Sequence, residues 1–267
     1  MIYFVPEASE EYAAIGLRGN RMGYFASRSA PMGAVDAQVV IATFFNFHPG
    51  LVHRAMDGAW DLAAPDVVLA ARLRAVDRAL HRGLDDLCHA PETIELAALL
   101  RRAADTAAEH HEGRPLFAGH ARLDWPDEPH LAVWHAQTLL REFRGDAHVG
   151  ALMLEGLSGV EALVIHAATG EVPADVLRMS RDWPHDEWDA AVEELRSRGL
   201  IGEDLTLTDA GRTHRDWVES RTDERSLPAY EPLGDDGCAR VRELGRVLSA
   251  AIVERQLLMF DLGRLTD

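Results

Sequence analysis

Apolar residues recur three and four apart through Val35–Phe45, Pro65–Arg82, Pro91–His111 and Leu131–Arg144, the spacing that gathers them on one face of a helix. Proline and glycine punctuate these runs, with breaks at Pro31, Pro49, Pro65, Pro91, Pro115, Pro126 and Pro129. Asp66 and Glu92 each follow a proline, where a carboxylate suits the positive end of a new helix. Strand-like alternation is scarce. The pattern predicts an all-α segment over residues 1–150.

Beyond residue 150 the elements shorten. Val160–Ala168 reads as an apolar helix stopped by Gly170, and Pro173–Arg181 as a second, packing through Val176, Leu177 and Met179. Trp183-Pro184-His185 makes a turn into a third helix, Asp186–Arg198, whose apolar face carries Trp188, Ala191, Val192 and Leu195. Gly199 stops that helix. Leu200 to Thr208 reads as two very short strands around a turn, and Asp209-Ala210-Gly211-Arg212 opens a further helix. Three helices, a hairpin and a helix is the order of a winged helix-turn-helix, placed at 151–225. Leu195-Arg196-Ser197-Arg198-Gly199-Leu200-Ile201 followed by Leu207-Thr208-Asp209-Ala210-Gly211-Arg212 resembles the signature of MarR-like domains. The expected fold is mainly α: an N-terminal helical domain plus a C-terminal winged helix-turn-helix with a small β-hairpin wing. The remainder, 226–267, holds a helix at Asp236–Arg255 that packs on the body or pairs between subunits in a homodimer.

Composition narrows the function classes. The chain has 267 residues, 47% hydrophobic and 27% charged, enough for one large or two modest globular domains. No apolar run approaches the roughly 20 residues a membrane helix needs. Met1 to Glu7 has neither the basic segment nor the long apolar stretch of a signal peptide, so the cytoplasm is the expected compartment. Cys88 and Cys238 stand alone, without the CxxC pairing of a zinc knuckle. Net charge is −17, which repels phosphate backbones and anionic membranes. All 27 basic residues are arginine, which removes lysine Schiff bases and lysine P-loops.

Charge also bears on the third short helix. A reading helix offers arginine, lysine, asparagine or glutamine to base edges and phosphates. This one presents Asp186, Glu187, Asp189, Glu193 and Glu194, with Arg196 and Arg198 only at its C-terminal end. The N-terminal end that enters a groove first is acidic, and so is the wing at Glu203-Asp204. A structural or dimerisation role is expected, with nucleic acid disfavoured as a partner.

Two stretches stand out in the first segment. One is Met22 to Gly33, followed by Phe44-Phe45-Asn46-Phe47-His48-Pro49. The other runs from Trp125 through Trp134-His135 to Leu140-Arg141-Glu142-Phe143-Arg144-Gly145-Asp146-Ala147-His148-Val149. With Arg181-Asp182-Trp183 and Glu219-Ser220-Arg221-Thr222-Asp223, they resemble the SalK-like helix-turn-helix family of actinobacterial proteins over nearly the whole chain. The resemblance implies a helical domain fused to a MarR-like unit, sometimes near specialised-metabolite genes, and hands over no reaction.

The chemistry of these stretches leaves alternatives open. His135 and Glu142 lie seven apart and share a helical face, Gly145 is expected to end that helix, and Asp146 and His148 follow. A histidine oriented by a carboxylate serves acid/base work, giving His135, Glu142, Asp146 and His148 as candidate catalytic residues. Arg141 and Arg144 suit an anionic ligand. His135, Glu142 and His148 form the donor set a divalent metal would use. The same residues equally form a buried salt-bridge network. Near the other stretch, Tyr24, Arg28, Asn46 and His48 beside Phe44, Phe45 and Phe47 have the makings of a ligand pocket or of plain core. The leading reading is a small-molecule-handling protein of specialised metabolism, an enzyme in one version, with the winged helix as scaffold. The rivals are a ligand-responsive transcription regulator and an acidic module that docks a basic protein partner.

Overall fold

In the computed structural model, residues 2–255 and 257 are described. The end of the expected C-terminal segment, from 258, lies outside them, as does Met1. The helices are α1 (Pro6–Ala14), α2 (Gly19–Ser29), α3 (Ala37–Thr43), α4 (Pro49–Met56), α5 (Ala59–Leu62), α6 (Pro65–Leu84) and α7 (Pro91–Ala107). They continue with α8 (Pro115–Ala121), α9 (Pro129–Leu154), α10 (Gly159–Ala167), α11 (Ala174–Ser180), α12 (His185–Ser197), α13 (Asp209–Ser226) and α14 (Gly234–Glu254). Prolines occupy the first turn of α1, α4, α6, α7, α8 and α9. There the missing N–H costs nothing and the fixed φ favours the helix.

Three apolar cores result. The first gathers α1 to α6 around Phe25, Phe44, Phe47, Val52 and Val68. The second lies under α6, α7 and the first half of α9, with Leu96, Phe117, Leu139 and Phe143 at its centre. The described part of α14 closes it with Leu244 and Leu248, fastened outside by the Arg240–Glu95 ion pair at 2.7 Å. The third belongs to α10–α13 and is built on Leu163, Leu177, Trp188, Leu195 and Ile201. Helix α9 feeds both the second and the third core, through Phe143 at one end and Ala151 and Leu152 at the other.

Two sequence expectations are corrected here. Gly145 does not end a helix: α9 runs unbroken through it for 26 residues. The expected β-hairpin wing is absent, and among the described residues there is no strand, only an isolated antiparallel bridge between Ile201 and Leu207. The reason is local. Asp204 accepts hydrogen bonds from the Thr206 N–H and hydroxyl at 3.1 and 2.9 Å, taking a donor that a ladder would need. Leu205 turns through a left-handed φ of 62°, and Gly202 N–H closes onto the Thr206 carbonyl at 2.9 Å. The segment is a tight turn with too few residues to pair further.

The helix-turn-helix segment is secured by caps. Ser158 and Glu161 form a reciprocal capping box at the start of α10. Thr208 caps α13 by accepting from Gly211 N–H at 3.0 Å. Gly211 is required for another reason: a Cβ there would stand 1.9 Å from the Leu200 carbonyl oxygen. The threonine and glycine of the Leu-Thr-x-x-Gly pattern therefore do two jobs, one capping and one permitting backbone contact. No single helix among the described residues is long and apolar enough to cross a membrane. Gly211→Ala is expected to lower stability by about 1–3 kcal/mol, the cost of overpacking a site bounded by backbone, and Thr208→Ala by about 1 kcal/mol. Urea denaturation of both variants checks this; a neutral Gly211→Ala refutes the close approach.

Candidate functional site

A cavity of about 570 Å³ opens where α2, the 43–47 loop and α9 meet α10, α11 and α13. Its position follows from the docking of the helix-turn-helix segment. A Cβ on Gly159 would lie 2.0 Å from the Phe45 carbonyl oxygen, so glycine alone lets the start of α10 reach the loop. Trp183 Nε1 donates to the Asn46 carbonyl at 2.9 Å, and His48 N–H donates to the Arg181 carbonyl at 3.0 Å. Arg54 and Asp182 add an ion pair.

Arg28 forms the floor. It is buried, with Nη2 donating to both oxygens of Glu142 at 3.0 and 3.2 Å and Nη1 to the Tyr24 hydroxyl at 2.5 Å. Its guanidinium lies 4.5 Å from the Phe44 ring centroid and 5.2 Å from that of Tyr24. Burial works against the cation, but Tyr24 and Glu142 outweigh it and hold the Arg28 pKa above its ordinary value. Arg141 also bonds Glu142, from the side. Glu142 is thus a shared anion between two guanidiniums.

One turn on, burial pushes the Asp146 carboxyl up to about 6, with Glu142 adding to the shift and the Phe117 N–H opposing it. That N–H, at the third position of α8, donates to Asp146 Oδ2 at 2.9 Å, so Asp146 also caps α8. His148 Nδ1 lies 3.0 Å from the Thr222 hydroxyl of α13. Burial lowers the His148 pKa, with Glu219 opposing and Arg144 and Arg215 adding. Both groups are partly buried and both line the cavity.

Of the residues singled out in the sequence, Tyr24, Arg28, Asn46, Arg141, Glu142, Asp146 and His148 line this cavity. His135, His48 and Arg144 do not. His135 is buried edge-on to Trp125 at 4.8 Å in the second core. Burial, aided by Arg72 and Arg101, lowers its pKa to about 4, which keeps the imidazole neutral. It stands thirteen residues before His148 on the same straight helix, about 20 Å along the axis at 1.5 Å per residue, so one ion cannot touch both. His48 caps α4, accepting from Gly50 N–H at 3.2 Å, and its Nε2 lies 3.2 Å from Glu187. Arg144 pairs with Glu219 and Asp223 at 2.7 and 3.2 Å.

Four titratable lining residues were not candidates in the sequence: His166, Arg181, Arg215 and Glu219. Arg181 donates to the Ser180 hydroxyl at 2.7 Å and stacks 5.3 Å from the Phe47 centroid. Burial, with Arg28 adding and Tyr24 opposing, lowers its pKa. Among the described residues neither Arg181 nor Arg215 has a carboxylate within salt-bridge distance. The signal for Arg181 was its place in the Arg181-Asp182-Trp183 stretch; Arg215 had none.

The raised Asp146 pKa has a sign. Between the ordinary 3.8 and about 6 the folded chain holds a proton that the unfolded chain has lost, so this group makes stability fall as pH rises through that window. Asp146→Asn keeps an acceptor for Phe117 N–H and removes the buried charge. It should raise the urea midpoint relative to wild type, by more at about pH 7.5 than at about pH 4.5. An equal change at both pH values would show that Asp146 carries no such penalty.

No curated protein and no solved structure matches the chain. A family of helix-turn-helix proteins does, over residues 1–259, a span that takes in the aromatic loop, the whole of α9 and the α10–α13 unit together. Since that match covers every wall of the cavity, the chain belongs to this helix-turn-helix family as a whole and not through its helix-turn-helix segment alone.

Proposed function

We propose that the protein binds a small organic anion in this cavity, between a helical domain (about 1–150) and a helix-turn-helix domain (about 151–225) that serves as scaffold. The observation that carries the reading is the pair Arg181 and Arg215: two guanidiniums without carboxylate partners, lining a cavity of a chain whose net charge is −17. A carboxylate or phosphate engages such groups through charge-assisted hydrogen bonds. Phe44, Phe45 and Phe47 supply an apolar wall for the rest of the ligand, and about 570 Å³ falls within the usual size of a small-molecule site. Asp146 and His148 are the groups suited to exchange a proton with the ligand, which is the route to an enzymatic role. The finer resemblance to SalK-like and MarR-like proteins fits a small molecule of specialised metabolism.

The scaffold reading rests on α12. Asp186, Glu187, Asp189, Glu193 and Glu194 are all exposed on it. Its two arginines are engaged within the molecule. Arg196 bonds Glu193 at 2.5 Å and the Glu203 carbonyl at 3.2 Å. Arg198 reaches the carbonyls of Gly156 and Glu155 at 3.3 and 3.2 Å. Family membership favours a second reading, a ligand-responsive regulator that binds DNA as a dimer.

Calorimetry against a panel of aromatic and aliphatic carboxylates and phosphates tests the first reading. The combined variant Arg181→Gln, Arg215→Gln should weaken a binding anion at least about tenfold, or about 1.4 kcal/mol, while Arg144→Gln leaves it unchanged. Binding that ignores the double variant would refute the site. Separately, fluorescence anisotropy with a random DNA duplex at low salt should show no micromolar binding. Tight binding that weakens steeply with added salt would overturn the scaffold reading in favour of the regulator.

A further inference from the structure

Away from the cavity, three histidines from separate stretches of chain converge at the junction of α6 and α9. Asp77 and His81 lie one turn apart on α6, His89 ends the 3-10 turn Asp85–His89, and His130 is the second residue of α9. The ligating atoms of His81, His89 and His130 all lie within 4.8 Å of one another. Ring centroids are 4.8 Å apart for His81–His130, 5.6 Å for His89–His130 and 6.0 Å for His81–His89. Asp77 Oδ1 adjoins two of them, 2.6 Å from His130 Nε2 and 3.5 Å from His81 Nε2. Glu128 Oε2 is 3.5 Å from His89 Nδ1.

From this arrangement we propose a divalent transition-metal site of the zinc class, with His81, His89, His130 and Asp77 as ligands. Three imidazoles and one carboxylate are the donor set that zinc and its neighbours accept in tetrahedral geometry. With bonds of about 2.0–2.1 Å, tetrahedral donors stand about 3.3–3.5 Å apart. For the three histidines the present separations are wider by up to about 1.5 Å, by that same geometry, and Asp77 already stands within 3.5 Å of two of them. Closing them falls to His81 and His89, whose side chains are 49% and 56% exposed and free to swing inward.

His130 is the fixed anchor. Its side chain is fully buried, and its Nδ1 has no hydrogen-bond partner. When Nε2 exchanges its hydrogen bond to Asp77 for a cation, the single proton of the neutral imidazole sits on Nδ1, which no backbone N–H occupies. The site lies between the negative C-terminal end of α6 and the positive N-terminal end of α9, so the local field is decided by the carboxylates of Asp77 and Glu128 beside the imidazoles. The alternative role for these residues, a plain His130–Asp77 hydrogen bond with two surface histidines nearby, leaves the convergence of His81 and His89 on the same point unexplained.

The site is independent of the cavity. His130 precedes Glu142 by twelve residues of straight helix, about 18 Å along the axis. An ion there clips the end of α6 to the start of α9 across the second core, a structural closure with four protein ligands.

The test is calorimetric titration of the full chain, freed of metal by chelator dialysis, with zinc and with cobalt(II). One equivalent per chain should bind at micromolar affinity or tighter, with the visible absorption of tetrahedral cobalt(II). His81→Ala with His89→Ala, both at exposed positions, should weaken zinc at least 100-fold and abolish the zinc-induced rise in melting temperature. His110→Ala with His111→Ala, on the surface elsewhere, should change neither. Zinc binding that survives the His81/His89 variant, or no stoichiometric binding by the wild type, overturns the proposal.

Discussion

The buried pair between Arg28 and Glu142 joins the two stretches that stand out in the sequence. Their side chains are 10% and 5% exposed, so little of either charge faces water. Removing one partner of such a pair costs about 3–5 kcal/mol, because the survivor is left charged in a poor solvent. Much else follows from holding it. Arg28 can lie among Tyr3, Tyr24 and Phe44 only while Glu142 neutralises it. Glu142 in turn fixes the rotation of α9, which turns Asp146 and His148 toward the cavity and His135 into the second core. A pair of hydrophobic residues would pack α2 against α9 as well, and often more stably. What the ion pair adds is a polar floor under an aromatic wall.

The continuity of α9 is the second constraint. Reading Gly145 as a stop placed Asp146 and His148 in a turn, close to His135 and Glu142 in space. In the structure Gly145 is an interior residue, and a Cβ there would meet only Glu142, at 3.8 Å. Glycine costs an exposed helix about 1 kcal/mol relative to alanine. Phe143 on one side and Ala151 and Leu152 on the other bury enough apolar surface in two cores to offset that. Seven residues apart means one face but also about 10 Å along the axis. A shared face is thus not a shared site, which is why Glu142 and His148 reach the cavity and His135 does not.

How much was legible depended on the range of the interaction. Helices showed clearly, because their signals are local: proline at the first turn and apolar spacing of three and four. The α10–α12 order was legible for the same reason, and the glycines of that segment mark close backbone approaches that were then met by Phe45 and Leu200. The wing was misread because Leu200 to Thr208 has strand-like residue types, while the side chain of Asp204 decides the backbone pairing. Long-range convergence left no trace in local pattern. Arg215 comes from α13 to a wall set by α9. His81 and His130 are separated by 49 positions and meet because α6 and α9 share a core.

In the proposed reading the helix-turn-helix segment is a set of elements turned to a different use. In a DNA reader the turn before the third helix and that helix's N-terminal end must stay free to approach a groove. Here the turn 181–184 is taken up against the helical domain. Arg181 gives its carbonyl to His48, Trp183 gives its indole N–H to Asn46, and Asp182 pairs with Arg54. The same docking sets the Arg181 side chain into the cavity wall over Phe47. The contacts that engage the turn therefore also build this wall of the cavity. The exposed carboxylates of α12 are consistent with that trade, since a helix released from reading phosphates is free to carry them. A ligand held by Arg181 and Arg215 would bridge α11 and α13 to the aromatic loop, and so add its binding energy to the contact that keeps the segment docked.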